Sequence, residues 1–153
     1  MMVHKITPFL WFDTQAEEAM NFYVSVFRNS KVISVSRREG KVFTVSFELE
    51  GQRFMGLNAG PHFRFNEAVS FYVDCETQDE VDYFWEKLSE GGEKGHCGWL
   101  KDKFGLSWQI VPSALGRLMS DPDPHKSQAV LQAMLRMNKI DIAELQRAHD
   151  QKS

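Results

Sequence analysis

Two stretches of the chain share one wording. Residues 7 to 27 read TPFLWFDTQAEEAMNFYVSVF, and residues 69 to 88 read VSFYVDCETQDEVDYFWEKL. Each is a short apolar, aromatic-rich run, then Thr-Gln, then an acidic stretch whose apolar positions recur at helical spacing. In the first copy those positions are Ala16, Ala19, Met20, Tyr23 and Phe27; in the second they are Val81, Phe84, Trp85 and Leu88. Thr14 with Glu17 and Thr77 with Glu80 each fit a capping box, in which a Thr hydroxyl and a Glu carboxylate satisfy the free amides that open a helix. The two predicted caps lie 63 positions apart. Such self-similarity predicts one structural unit used twice.

The rest of the unit follows from turn signals. After the first helix, Lys31 to Arg38, Val42 to Glu50 and Gln52 to Asn58 read as strands, with Glu39-Gly40 and Glu50-Gly51 as turns. After the second helix the pattern is shorter: a Gly-rich turn from Gly91 to Gly98, then strands over Trp99 to Asp102 and Leu106 to Val111. The predicted unit is β-α-β-β-β, and the predicted fold class is α+β.

Aromatic residues mark where the repeat ends. All 19 of them lie between Phe9 and Trp108, and the last 45 positions have none. Beyond Ser113 the sequence predicts a helical extension: Ser113 to Met119 as a short helix, Asp123-Pro124 as an N-cap with proline at the first helical position, and Asp141 with Glu144 as a further capping box. Ala129, Val130, Ala133, Met134 and Met137 recur at helical spacing between them. The predicted organisation is two modules, about 4–60 and 66–112, and an extension over 113–153. The extension is expected to pack on the sheet or on a second subunit.

With 42% apolar and 25% charged residues the chain has the composition of a globular domain, and a net charge of −3 argues against a nucleic-acid binder. No stretch approaches the ~18 apolar residues of a membrane helix. The apolar start from Ile6 to Phe12 runs straight into Asp13 without a small-residue cleavage site. Cys75 and Cys97 lack CxxC spacing. A reduced, cytoplasmic protein with buried or incidental thiols is expected.

A tandem β-α-β-β-β chain with these segments resembles the vicinal oxygen chelate superfamily, which includes glyoxalase I, bleomycin-resistance proteins and extradiol dioxygenases. Within it the likeness is to the PhnB-like group, often described as 3-demethylubiquinone-9 3-methyltransferase. It is carried by ITPFLWFDTQAEEAMNFY at 6 to 23, FNEAVSFYVDCETQDEVDYFWEKLSEGGE at 65 to 93 and CGWLKDKFGLSWQIVP at 97 to 112. The tail phrases SDPDP and MNKIDIAEL are similar to that group as well. The resemblance implies two modules pairing their sheets into a cupped, glyoxalase-like mixed sheet, with helices on the convex side and a ligand cavity in the cup. Strand alternation then places Thr7, Phe9 and Trp11 toward the cavity, with Leu10 and Phe12 under the helix. By the same count Ser70, Tyr72, Ser107, Gln109 and Val111 face inward, while Phe71, Val73, Trp108 and Ile110 face the helices.

Metal-dependent members of the superfamily bind one divalent ion through four strand positions. Carried over, these fall on Thr7, on or beside Met55, near Ala68 to Ser70, and on Gln109. Thioether and methyl groups do not hold a hard or borderline cation, hydroxyls hold it poorly, and a glutamine brings no charge. No metal or other cofactor is therefore expected. His4, His62, His96, His125 and His149 show no i, i+4 pairing with a second ligand. His62 and His96 could overhang the cup mouth and act as acid or base.

Thr7, Phe9, Trp11, Met55, Ser70, Tyr72, Trp99 and Gln109 are the candidate ligand-binding residues, an aromatic lining with a few polar groups. The same residues also fit a closed core in which Gln109 bonds a neighbouring backbone group. Three functions follow: a metal-independent small-molecule binder, a metal-dependent lyase, isomerase or dioxygenase of the superfamily, or a dimerisation module. A homodimer with a small-molecule ligand, without nucleic-acid or membrane partners, is the expected state. Methyl transfer is not expected, because the ten glycines never form the GxGxG turn that brings backbone against a nucleotide-like cofactor.

Overall fold

The computed structural model describes residues 5–151; His4 lies outside them. The chain divides into two compact units, Met1–Arg64 and Phe65–Ser153. The first contains β1 (Phe9–Phe12), α1 (Ala16–Val26), β2 (Ser30–Arg38), β3 (Lys41–Leu49) and β4 (Gln52–Asn58). The second contains β5 (Ser70–Cys75), α2 (Gln78–Ser89), β6 (Glu93–Lys94), β7 (Trp99–Lys101) and β8 (Ser107–Pro112). Three helices follow: α3 (Ser113–Met119), α4 (Pro124–Leu135) and α5 (Ile142–Asp150). The sheet orders are β1-β4-β3-β2 and β5-β8-β7-β6. The predicted α+β class and the doubled unit are thus both present.

In each sheet the first strand pairs parallel with the last, Phe9 opposite Met55 and Ser70 opposite Ser107, and the other pairings are antiparallel. A parallel pair needs a long crossover, and the intervening helix and strands supply it. The two predicted turns close the first unit's hairpins. Glu39-Gly40 and Glu50-Gly51 have φ of 52° and 78°, and of 49° and 85°. Two consecutive positive φ values make the tight turn whose twist matches flanking strands, and glycine removes the penalty at the second position.

The first core lies between α1 and its sheet. Ala16, Ala19, Met20 and Tyr23 are buried against Leu10, Phe12, Val45 and Phe47. Tyr23 stacks on Phe47, which stacks on Phe54 with centroids 5.5 Å apart. The predicted Thr14 cap is not formed. Gln15 occupies the cap position without a side-chain bond, and Asn58 accepts from the Ala16 N–H at 2.8 Å instead. Parallel pairing sets Asn58 opposite Phe12, so a side chain 42 positions away reaches the helix start first. The second cap follows prediction: Thr77 accepts from the Glu80 N–H at 3.2 Å, and Glu80 returns to the Glu76 N–H at 2.8 Å.

The aliphatic tail builds a core of its own within the second unit. Leu115, Leu118, Val130, Ile140 and Leu145 bury together with Val111 of β8. Val111 therefore does not face a cavity, as strand parity predicted, because the tail covers it. Backbone bonds tie the tail to the module: Cys97 N–H to the Met137 carbonyl at 2.9 Å and Gly98 N–H to the Asn138 carbonyl at 2.8 Å. Gln78, at the start of α2, donates to the Ile140 carbonyl at 3.0 Å and accepts from the Ile142 N–H at 2.8 Å. Asp123 and Asp141 cap α4 and α5 as expected.

His149 closes the tail. Its Nε2 lies 2.7 Å from Asp121 Oδ2 and its Nδ1 lies 3.0 Å from Asp150 Oδ1. Asp150 and Asp121 raise the imidazole above its ordinary 6.5. Asp150 is lowered by His149 and Gln146; Asp121 is lowered by the Asp123 backbone N–H and by His149. Burial of Cys75, with the Glu80 and Asp74 carboxylates, pushes its thiol up to about 12, which leaves it protonated and unreactive.

Three outcomes follow. Ile140→Ala, which empties a fully buried site, lowers stability by about 2–5 kcal/mol in urea denaturation. The raised His149 stabilises below pH 6.5 and loses that effect as pH rises through its folded value; the lowered carboxylates stabilise above 3.8 and lose theirs as pH falls through their folded values. The Tm difference between wild type and His149→Gln is therefore largest between those limits and closes toward alkaline pH. A thiol-specific disulfide reagent labels Cys97 in the native protein and labels Cys75 only after denaturation.

Candidate functional site

Strand alternation leaves one face of each sheet away from its helix, and the predicted residues sort onto those faces unit by unit. In the first unit Phe9 and Met55 are cross-strand partners, and Trp11 lies two positions along the same face. Phe9 is exposed, while Trp11 and Met55 are half-buried. The Trp11 indole donates to the Gly60 carbonyl at 2.8 Å and meets the Phe63 ring edge-on with centroids 4.8 Å apart. Thr7 precedes β1 and is half-buried. Phe63 was not among the predicted residues, because nothing in a loop after Gly60-Pro61 signals that its ring returns to Trp11.

In the second unit Tyr72, Gln109 and Trp99 stand in one row across β5, β8 and β7. The next row is Ser70, Ser107 and Lys101. Opposed residues in adjacent strands project to the same face, so these six side chains share a surface. Tyr72 is 60% exposed at its edge, and Trp99 and Gln109 are half-buried. The Gln109 amide donates to the Ser70 hydroxyl at 3.0 Å. The bond expected in the closed-core alternative, to a neighbouring backbone group, is replaced by this side-chain contact. It fixes the amide's orientation and leaves its carbonyl oxygen as an aimed acceptor. Partial burial, then the Asp74 charge, raises the Tyr72 phenol above its ordinary value, so it stays a neutral donor.

The β7–β8 connection that carries this surface is held by a buried acid that the sequence reading missed. Asp102 accepts from the Phe104 and Leu106 N–H groups at 2.9 and 3.0 Å, and from the Trp108 indole at 2.9 Å. A carboxylate only 2% exposed is tolerable because three donors replace its water. Asp102 marks no helical or strand period, so only the fold brings Trp108 to it.

The histidines lie apart from these rows. His62 packs edge-on to Trp11 with centroids 6.4 Å apart, and His96 Nδ1 pairs with Asn138 Oδ1 at 2.8 Å. His96 is thus engaged with the tail. His125 opens α4, and His149 belongs to the carboxylate latch described above.

The superfamily resemblance implies a divalent ion, whose fit depends on the donors present. The four carried-over positions fall on Thr7, on or beside Met55, near Ala68 to Ser70, and on Gln109, whose oxygen would bring no charge. No carboxylate or imidazole is among them, and a thioether is a soft donor. This set does not fit a hard or borderline cation. Among the described residues no three His, Cys, Asp or Glu side chains form a group that could hold a metal elsewhere, and no helix is long and apolar enough to cross a membrane.

Comparison with known proteins agrees with the doubled architecture. The sequence profile of the family described as 3-demethylubiquinone-9 3-methyltransferase matches residues 4–111, ending one residue before β8 does. A PhnB protein from Bacillus cereus is 39% identical, with a TM-score of 0.67 over 71% of this chain and 99% of that one. A Pseudomonas aeruginosa protein is 16% identical, with a TM-score of 0.62 over 72% of this chain and 98% of that one. A glyoxalase/bleomycin resistance protein from Albidiferax ferrireducens also matches, at 11% identity and a TM-score of 0.47 over 69% and 95% of the two chains. No curated protein matches the chain. The repeated β-α-β-β-β unit, the profile match and the Bacillus relative agree: the chain belongs to the PhnB-like family described as 3-demethylubiquinone-9 3-methyltransferase.

Proposed function

We propose that this protein binds a small molecule on the helix-free sheet faces and does so without a metal ion. The observation that carries this reading is the row Tyr72, Gln109 and Trp99. It sets two aromatic surfaces beside one amide whose orientation is fixed by Ser70. Apolar walls with a few oriented polar groups are what small-molecule sites are made of. The row Phe9 and Met55, with Trp11 beside it, offers a second apolar surface in the first unit.

Metal-independent binding is favoured over Lewis-acid chemistry because Thr7, Met55, Ser70 and Gln109 supply no anionic ligand. Methyl transfer, which the family description names, finds no support in the sequence. A Gly-rich strand-to-helix turn is absent, and the cluster from Gly91 to Gly98 follows α2 instead of opening a helix.

The test is a ligand-observed NMR screen of full-length protein against small aromatic and amphipathic compounds, before and after EDTA treatment. Hits are expected to bind equally in both conditions, and Trp99→Ala and Gln109→Ala are each expected to weaken them about tenfold, the loss of roughly 1.4 kcal/mol. Binding abolished by EDTA and restored by a divalent ion would overturn metal independence. Hits insensitive to both substitutions would overturn the site.

A further inference from the structure

Beside the Gln109 row lies a smaller feature with its own chemistry. A cavity of about 160 Å³ is lined by Glu67, Glu93, Lys94, Trp99, Lys101 and Ser107, with Gly95 and Leu100. That is below the roughly 300–1,000 Å³ of a whole-ligand pocket, so it suits one functional arm of a ligand. Ser107 is fully buried, and its hydroxyl has no hydrogen-bond partner. A buried polar group without a partner is costly, and native structures reserve such groups for a reason.

The charges around that hydroxyl are unequally committed. Lys101, the cross-strand neighbour of Ser107, pairs with Glu67. Lys94 is drawn to Glu86 at 3.0 Å, which is not part of the lining. Glu93 lies opposite Lys101 across β6 and β7, where its charge helps Glu67 raise the Lys101 ammonium, but it makes no ion pair among the described residues. The uncommitted charge is therefore negative. Trp99 adds an aromatic wall, and indole is the best ring for a cation. An anion would face both the Glu67 and the Glu93 carboxylates of the lining. A cation meets Glu93 and Trp99 directly, and its N–H groups can donate to Ser107.

We propose that this cavity binds a primary ammonium group, the arm of a small amine ligand, with Glu93 as counter-ion, Trp99 as wall and the Ser107 hydroxyl as acceptor at the floor. The Lys101–Glu67 pair shares the lining with Ser107. The two side chains are 39% and 60% exposed, and pairs reached by solvent contribute little, so the pair opens at small cost. This proposal rests on the second sheet's helix-free face being a binding surface, and it adds the class of group that the face selects.

The probe is n-propylammonium chloride, titrated into ¹⁵N-labelled full-length protein at constant ionic strength. A saturable shift is expected at the Trp99 indole N–H and at the amides of Leu100, Lys101 and Ser107, with the Trp11 indole unmoved. Sodium propionate should leave all of these in place. Glu93→Gln and Ser107→Ala should each weaken the titration at least fivefold, while Ser107→Ala melts no lower than wild type because it removes an unpaired hydroxyl. No saturable shift, an equal response to propionate, or an unchanged titration in Ser107→Ala would overturn the proposal. If the aromatic hits described above still bind when propylammonium does not, only this inference falls. If neither binds, the broader reading falls with it.

Discussion

Parallel pairing between the first and last strand of each module is the constraint from which the rest follows. A strand cannot return parallel to its neighbour without a crossover, and the module uses that crossover to lay one helix on one face. The opposite face then carries no helix of its own module. Phe9 beside Met55, and Tyr72 beside Gln109, lie on that opposite face because the parallel register aligns them. The same register carries Asn58 to the start of α1. A helix end, a core and a candidate binding surface thus depend on one pairing in each unit.

The two modules share this plan and differ in what was added to it. The first has long hairpin strands, β2 and β3 of nine residues each, closed by two-residue turns. The second shortens the corresponding strands to two and three residues and spends the chain on a Gly-rich loop. Shortening leaves that edge with few ladder bonds. Asp102 and the tail compensate: the acid locks the β7–β8 turn to Trp108, and backbone from 137 and 138 bonds Cys97 and Gly98.

Patterns that act through near neighbours were legible in the sequence. The repeat, the turns Glu39-Gly40 and Glu50-Gly51, the Thr77, Asp123 and Asp141 caps, and helix α3 to the residue all rest on local spacing. Leu10, Phe12, Trp108 and Ile110 are buried as parity required. Long-range events were not legible. Asn58 displaced Thr14 at a cap from 42 residues away, Val111 was covered by a tail whose docking no period encodes, and His149 found Asp121 across 28 positions. For the candidate site, strand parity named Phe9, Trp11, Ser70, Tyr72 and Gln109, and cross-strand register sets Met55 beside Phe9 and Trp99 beside Gln109. The same parity could not foresee that Ser107, on the face of Gln109, would be sealed from solvent without a partner.

Gln78 gives the tail a different standing from that of an appendage. One carboxamide at the first turn of α2 holds both backbone groups flanking the α5 start, the Ile140 carbonyl and the Ile142 N–H. Releasing the tail therefore strips the Gln78 carboxamide of both backbone partners, and fraying α2 withdraws that carboxamide from the start of α5. The two are coupled through that one side chain, although more than sixty residues separate them. The segment outside the family's shared stretch is in this way made a condition for the integrity of the segment inside it, and a truncation at the family boundary would remove a partner that the second helix needs.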